Sequence, residues 1–76
     1  MSKLALVTAG QMCKILERHG MQKLRQKGSH AFYLGENGET TVVPMHSGNL
    51  KRSLIQNIIS QARLSISEYE KLRQEV

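Results

Sequence analysis

The pattern of apolar and polar positions changes period twice along the chain, and each change predicts a different element. From Thr8 the apolar positions recur at helical spacing, with Met12, Ile15, Leu16 and His19 on one face. Thr8-Ala9-Gly10-Gln11 has the spacing of a capping box, in which a hydroxyl caps the first amides and a Gln side chain reaches back. Lys14, Arg18 and His19 fall in the last turns, where the helix dipole favours positive charge, and Gly20 supplies a stop. These signals predict a helix over residues 9–19.

After Gly20 the period becomes two. Lys23, Arg25 and Lys27 alternate with Leu24 and Gln26, so a regular strand carries all three cations on one face. Gly28-Ser29 breaks that strand. His30–Leu34 and Thr40–Pro44 are rich in aromatic and β-branched residues and predict two further strands. The Asn37-Gly38 pair between them is a strong hairpin signal, which completes a three-stranded antiparallel meander. Pro44 lacks an N–H and suits a strand end or an edge.

Helical spacing then returns. Leu54, Ile55, Ile58, Ile59 and Ala62 share a face, and Lys51 would intrude on it, so the second helix begins near Arg52 or Ser53. Ser65-Ile66-Ser67-Glu68 is another capping box, opening a short third helix with Ile66, Tyr69 and Leu72 inward. Three strands offer two faces but too few apolar residues to bury both. Both main helices therefore pack on one face, in a two-layer α+β sandwich of order α-β-β-β-α with a short extra C-terminal helix. The other face stays wet, with Lys23, Arg25 and Lys27 pointing from it.

Composition narrows the function. The 76 residues suit one domain, residues 1–76, with a core expected over about 8–70. Eleven Lys+Arg against six Asp+Glu leave a net +5, which favours a polyanionic partner, nucleic acid ahead of membrane. A single cysteine, Cys13, supports neither an internal disulfide framework nor Cys-rich zinc coordination. No apolar run approaches the ~20 residues of a membrane span. The opening stretch Met1–Val7 is too short for the apolar region of a secretory signal, so a cytoplasmic protein is expected.

The segment Arg25-Gln26-Lys27-Gly28-Ser29-His30 concentrates the candidate chemistry. Small residues let a phosphodiester approach the backbone, cations stabilise its charge, and a histidine beside them can move protons near neutral pH. An exposed histidine at a turn also occurs without any role. If Asn37-Gly38 is a two-residue turn, His30 faces Met45 and His46 lies one residue beyond, on the opposite face. A one-residue shift of register puts the two histidines on the same face. Lys51 and Arg52 extend the basic surface to the start of the second helix, whose free amides also attract anions. His19 reads as a helix-end residue that complements the dipole, and Cys13 as a small residue at the core edge. The three histidines are dispersed with no carboxylate at ligand spacing, so no metal site is expected.

Four blocks of the chain resemble one family. Gly28-Ser29-His30-x-Phe32-Tyr33 after Arg25-Gln26-Lys27 resembles the signature of the HicA toxins of bacterial toxin–antitoxin systems. Leu16-Glu17-Arg18-His19-Gly20 is similar to that family's first-helix end, and Val43-Pro44-x-His46 to the close of its third strand. Ile58-Ile59-x-Gln61-Ala62-x-Leu64-Ser65 is similar to its second helix and the following turn. The resemblance covers roughly residues 8–70. It implies a double-stranded-RNA-binding-domain-like fold, cleavage of mRNA with His30 as catalytic residue, no metal or other cofactor, and inhibition by a HicB-type antitoxin. A monomer alone, or a hetero-oligomer with the antitoxin, is the implied state. Two positions depart from the pattern: Ser53-Leu54 stand where Gly-Thr is usual, and Arg63 where a glycine usually ends the second helix.

In that frame His30 serves as base or acid, with His46 a less secure second group. Lys27 or Arg25 stabilises the phosphorane, and Gly28 and Ser29 position the phosphate. Lys23, Lys51 and Arg52 complete the expected RNA contacts. The competing reading is a non-catalytic RNA-binding module that uses the same basic sheet face. A third reading is a protein-interaction module whose basic face meets an acidic partner.

Overall fold

The computed structural model describes residues 4–76; Met1, Ser2 and Lys3, part of the stretch assessed as a secretory signal, lie outside the described residues. Helix α1 (Ala9–Arg18) is followed by strands β1 (Gln22–Lys27), β2 (His30–Leu34) and β3 (Thr40–Pro44), then helices α2 (Arg52–Gln61) and α3 (Ile66–Glu75). The strands form one antiparallel sheet in the order β1-β2-β3. This is the expected α+β layout, similar to that of double-stranded-RNA-binding domains. The third helix is ten residues long, as long as the other two, rather than short.

Each helix forms where the sequence marks it. Thr8 and Gln11 make both reciprocal bonds of a capping box at α1. Met12, Ile15 and Leu16 are fully buried, each worth about 1.5–3 kcal/mol on transfer from water. A helix of ten residues is marginal alone, so this burial rather than propensity holds it. At α3 the Ser65 hydroxyl accepts the Glu68 amide but also donates to the Glu68 carboxylate, so only half of the expected box is made. Tyr69 is buried there and Leu72 packs at the core margin, whereas Ile66, expected inward, is 56% exposed.

The sheet is two-sided. Ala31, Tyr33, Thr41 and Val43 are buried beneath α1 and α2, while Phe32, Leu34, Val42 and Pro44 are half-buried on the open face. Leu4 and Val7, ahead of α1, also enter the core, and the Arg52 side chain donates to the Leu4 carbonyl at 3.1 Å. An isolated bridge between Thr8 and Asn49 sets the start of α1 beside the loop that leads into α2.

The β2–β3 connection differs from a two-residue turn. Gly35 and Glu39 close a three-residue loop, Glu36–Gly38, with the Gly38 amide bonded back to the Gly35 carbonyl and Gly38 at φ +85°. That is a β-turn followed by a glycine in the left-handed region, the geometry of a G1 bulge. One more residue in the loop moves the ladder by one, so His30 pairs with Pro44, not Met45.

Candidate active site

The site is built at one end of the sheet. Lys27 pairs with His30 across a two-residue turn, Gly28-Ser29, with Gly28 at φ +58°. Glycine at the first central position is what a type II′ hairpin turn requires. The turn presents the exposed His30 at the first position of β2 on the open face, with Lys27 opposite on β1 and Pro44 opposite on β3. The Ser29 carbonyl accepts the Met45 amide, which ties the turn to the chain leaving β3.

A break in the β1 ladder decides which cations join His30. Lys23 pairs with Tyr33 but Arg25 pairs with Phe32, so Leu24 is an extra residue. Such a bulge shifts every later side chain by one step relative to the partner strand. Paired residues share a face. Lys23 therefore lies on the side of buried Tyr33, whereas Arg25 and Lys27 lie on the side of Phe32 and His30. Consistently, the Lys23 ammonium donates to Gln26, the partner of buried Ala31, at 2.6 Å. The three cations expected on one face are thus divided: Arg25 and Lys27 stay with His30, and Lys23 leaves. Arg25 sits over the Phe32 ring, with its guanidinium carbon 4.9 Å from the ring centroid.

Charge is polarised along the sheet. No acidic residue occurs from Arg18 through Gly35 or from Thr40 through Ser67. Glu36 and Glu39 occupy the loop at the opposite end of the β2–β3 hairpin. Helices α1 and α2 both begin at the His30 end, neither has an acid in its first turn, and α2 has no side-chain cap. Their positive dipole ends lie on the helix side of that end of the sheet. Lys51, exposed, stands at the α2 N-cap, whereas Arg52 is partly committed to the Leu4 carbonyl.

His46 lies two residues beyond Pro44, the partner of His30. Its amide bonds to the Pro44 carbonyl, a tight i to i+2 turn that takes the chain out of the pleat at Met45. His46 thus lies beyond the end of β3, where strand alternation no longer sets the side it faces. Its ring nitrogen Nδ1 is 3.0 Å from the Ser47 carbonyl, which leaves Nε2 to meet a ligand. His19 is the α1 C-cap, with Nε2 3.2 Å from the Ala62 carbonyl and Nδ1 4.0 Å from Glu68, a packing role at the other end of the molecule.

Beneath the His46 loop, the Cys13 thiol lies 3.6 Å from the Met45 sulfur. Burial, with Cys13 and the Glu17 carboxylate adding to it, pushes the Tyr33 phenol above its usual range, so it stays a neutral donor to Glu17 at 3.2 Å. Among the described residues no three His, Cys, Asp or Glu side chains converge as a metal site would need. No helix there is long and apolar enough to cross a membrane.

Sequence reasoning passed over Phe32. It shares the parity of His30, and it is the one aromatic of the chain that the core leaves unburied, since Tyr33 and Tyr69 are buried. That parity was available as a signal. The company of Arg25 was not, because it depends on the bulge at Leu24.

Comparison with known proteins adds one finding. Residues 9–64 match the family model described as HicA toxin of bacterial toxin-antitoxin. No curated protein matches the chain.

Proposed function

Because the chain belongs to the HicA toxin family of bacterial toxin–antitoxin systems, we propose that it is an endoribonuclease that cleaves mRNA through His30. As a toxin of such a system it implies a HicB-type antitoxin as partner. The observation that carries the reading is the setting of His30. It is exposed, cross-strand from Lys27, beside a glycine turn, and at the end of the sheet that has no acidic residue.

The chemistry that suits these groups uses the RNA's own 2′-OH. The 2′-oxygen attacks phosphorus as a histidine takes its proton, and the bond from phosphorus to the 5′-oxygen breaks as an acid protonates the departing alcohol. The products are a 2′,3′-cyclic phosphate and a 5′-hydroxyl. His30 acts as base or acid and His46 takes the complementary step. Lys27, nearest to His30 in the ladder, holds the extra charge of the phosphorane. The Gly28 amide and Ser29 steady the phosphate, and Lys51 contacts the strand beyond it. Arg25 belongs to the same face, one ladder step further from His30.

The test is cleavage of a labelled mRNA by the purified chain, with His30→Ala alongside and a substrate carrying one 2′-deoxy nucleotide at the scissile position. Cleavage of the ribo substrate only, and only by the unsubstituted chain, is expected. Equal cleavage of the deoxy substrate would sink the 2′-OH mechanism. Binding without cleavage by either protein would leave an RNA-binding module.

A further inference from the structure

The open face of the sheet carries one feature that cleavage at His30 does not use. Phe32 lies next to His30 in face order, half-buried, in the middle strand, with Arg25 over its ring at 4.9 Å. Phe32 leaves part of its ring on the solvent side of the sheet, and the other two aromatic residues are buried in the core. Arg25 makes no ion pair among the described residues, and no acid lies on its strand or on β2. Its charge is therefore unspent, while its guanidinium lies against an aromatic surface.

The bulge explains how this arrangement arises. If the pairing of Lys23 with Tyr33 continued without interruption, Leu24 would oppose Phe32, Gln26 would oppose His30, and Arg25 and Lys27 would turn to the helix side. The extra residue re-aims both cations together, the use to which bulges near functional sites are put. The result is a row of two steps on the open face: Lys27 with His30, then Arg25 with Phe32. The steps are about 7 Å apart, from two residues of strand rise.

We propose that the Arg25 guanidinium, backed by Phe32, is a stacking platform for one unpaired base of the RNA strand whose phosphodiester lies at His30. The inference rests on RNA being the target, as proposed above. Arg25 lies over the Phe32 ring at 4.9 Å, and RNA bases stack on guanidinium planes as they do on aromatic rings. The cations of the row draw the phosphates, and the stack draws a base. Duplex RNA, whose bases are already stacked, gains only the first. The platform thus makes the site selective for single-stranded segments without reading their sequence.

The experiment uses the full chain with His30→Ala, so that substrate survives, and compares it with the same protein carrying Arg25→Lys or Phe32→Leu. Fluorescence anisotropy at fixed salt measures binding of a short single-stranded RNA and of an abasic strand of equal length. Arg25→Lys keeps the charge and removes the plane. It is expected to weaken binding of the base-bearing strand about tenfold, within the range of one base stack, and to leave the abasic strand unchanged. Phe32→Leu is expected to shift affinity in the same direction by less. Equal affinity of Arg25→Lys and its parent for the base-bearing strand overturns the platform. An equal loss on both strands overturns it too, reducing Arg25 to a phosphate contact. If neither strand binds the parent, the RNA reading and the platform fall together. Base-dependent loss without cleavage by the unsubstituted chain sinks the ribonuclease and leaves the platform standing.

Discussion

The two ends of the sheet are made from similar parts and carry opposite charge. At one end lie a two-residue turn on Gly28 with Lys27 and His30 and, on the helix side, the starts of α1 and α2 with Lys51, with no acid among them. At the other, a three-residue loop, the ends of α1 and α2, His19, Glu36 and Glu39 come together. Both ends have a histidine, a glycine turn and helix termini. They differ in the direction of the helices and in the placing of the acids. Parallel α1 and α2 put their positive ends together, and the sequence leaves that end free of carboxylates. His30 stands exposed there among cations, whereas at the other end His19 lies 3.2 Å from the Ala62 carbonyl.

The widest separation of the two ends is expected from their histidines. His30→Ala should lower the rate of RNA cleavage by about 10²–10⁴, the contribution of a general acid or base, while the fold is retained. His19→Asn, assayed beside it, should leave the rate unchanged and lower the melting temperature. If the two variants lose activity alike, the assignment of His30 fails.

Charge gives the next contrast. Lys27→Ala should slow cleavage roughly 10²-fold if it meets the phosphorane, and should reduce the slope of log affinity against log salt by about one. Glu36→Gln at the far end should leave the rate and the salt slope where they were. A Lys27 variant with normal slope and normal rate would show that the basic end does not meet phosphate.

A smaller contrast lies within the far end, where α1 and α2 finish in the same way. Met21 and Gly20 bond back to Leu16 and Glu17, and Leu64 and Arg63 bond back to Ile59 and Ser60. Both are Schellman closures, with Gly20 at φ +104° and Arg63 at φ +57°. A side chain in the left-handed region costs roughly 1–2 kcal/mol, partly offset by the lower entropy of its unfolded chain. Gly20→Ala should therefore destabilise by about 1–2 kcal/mol, and Arg63→Gly should stabilise by about 0.5–1 kcal/mol, read as opposite shifts of the melting temperature.

The smallest effect concerns acid pH. The Glu39 carboxyl is held below its ordinary range by its own backbone amide and by that of Asn37, which donates to it at 2.8 Å. A depressed carboxylate adds stability above the pKa it has in the unfolded chain, and that stability is lost as pH falls through the folded value. Glu39→Gln should flatten this acid limb slightly in melts followed from pH 6 to pH 3, and an unchanged limb would show that the carboxylate adds nothing there.

Most of the fold was legible in local pattern. The capping residues of α1, the apolar stripe of α2 with its start after Lys51, the three strands and their order each follow from spacing within one segment. His30 was legible too, because its neighbours along the chain are the glycine turn and the cations. The spacing of Ile66, Tyr69 and Leu72 predicts one inward face, yet Ile66 is exposed, since α3 has only Tyr69 fully buried to anchor it.

The amino-acid sequence by itself determined where each helix begins, the order of the strands, the net positive charge, the acid-free stretches and the chemistry available at Gly28-Ser29-His30. Only the tertiary structure decided which side chains share a face. Strand alternation makes a face depend on register to a single residue, and two one-residue irregularities, the loop at Glu36–Gly38 and the bulge at Leu24, reset it. The first made Pro44 rather than Met45 the partner of His30. The second sent Lys23 away and brought Arg25 onto Phe32. Both arise from pairing between strands, which no pattern within one strand contains.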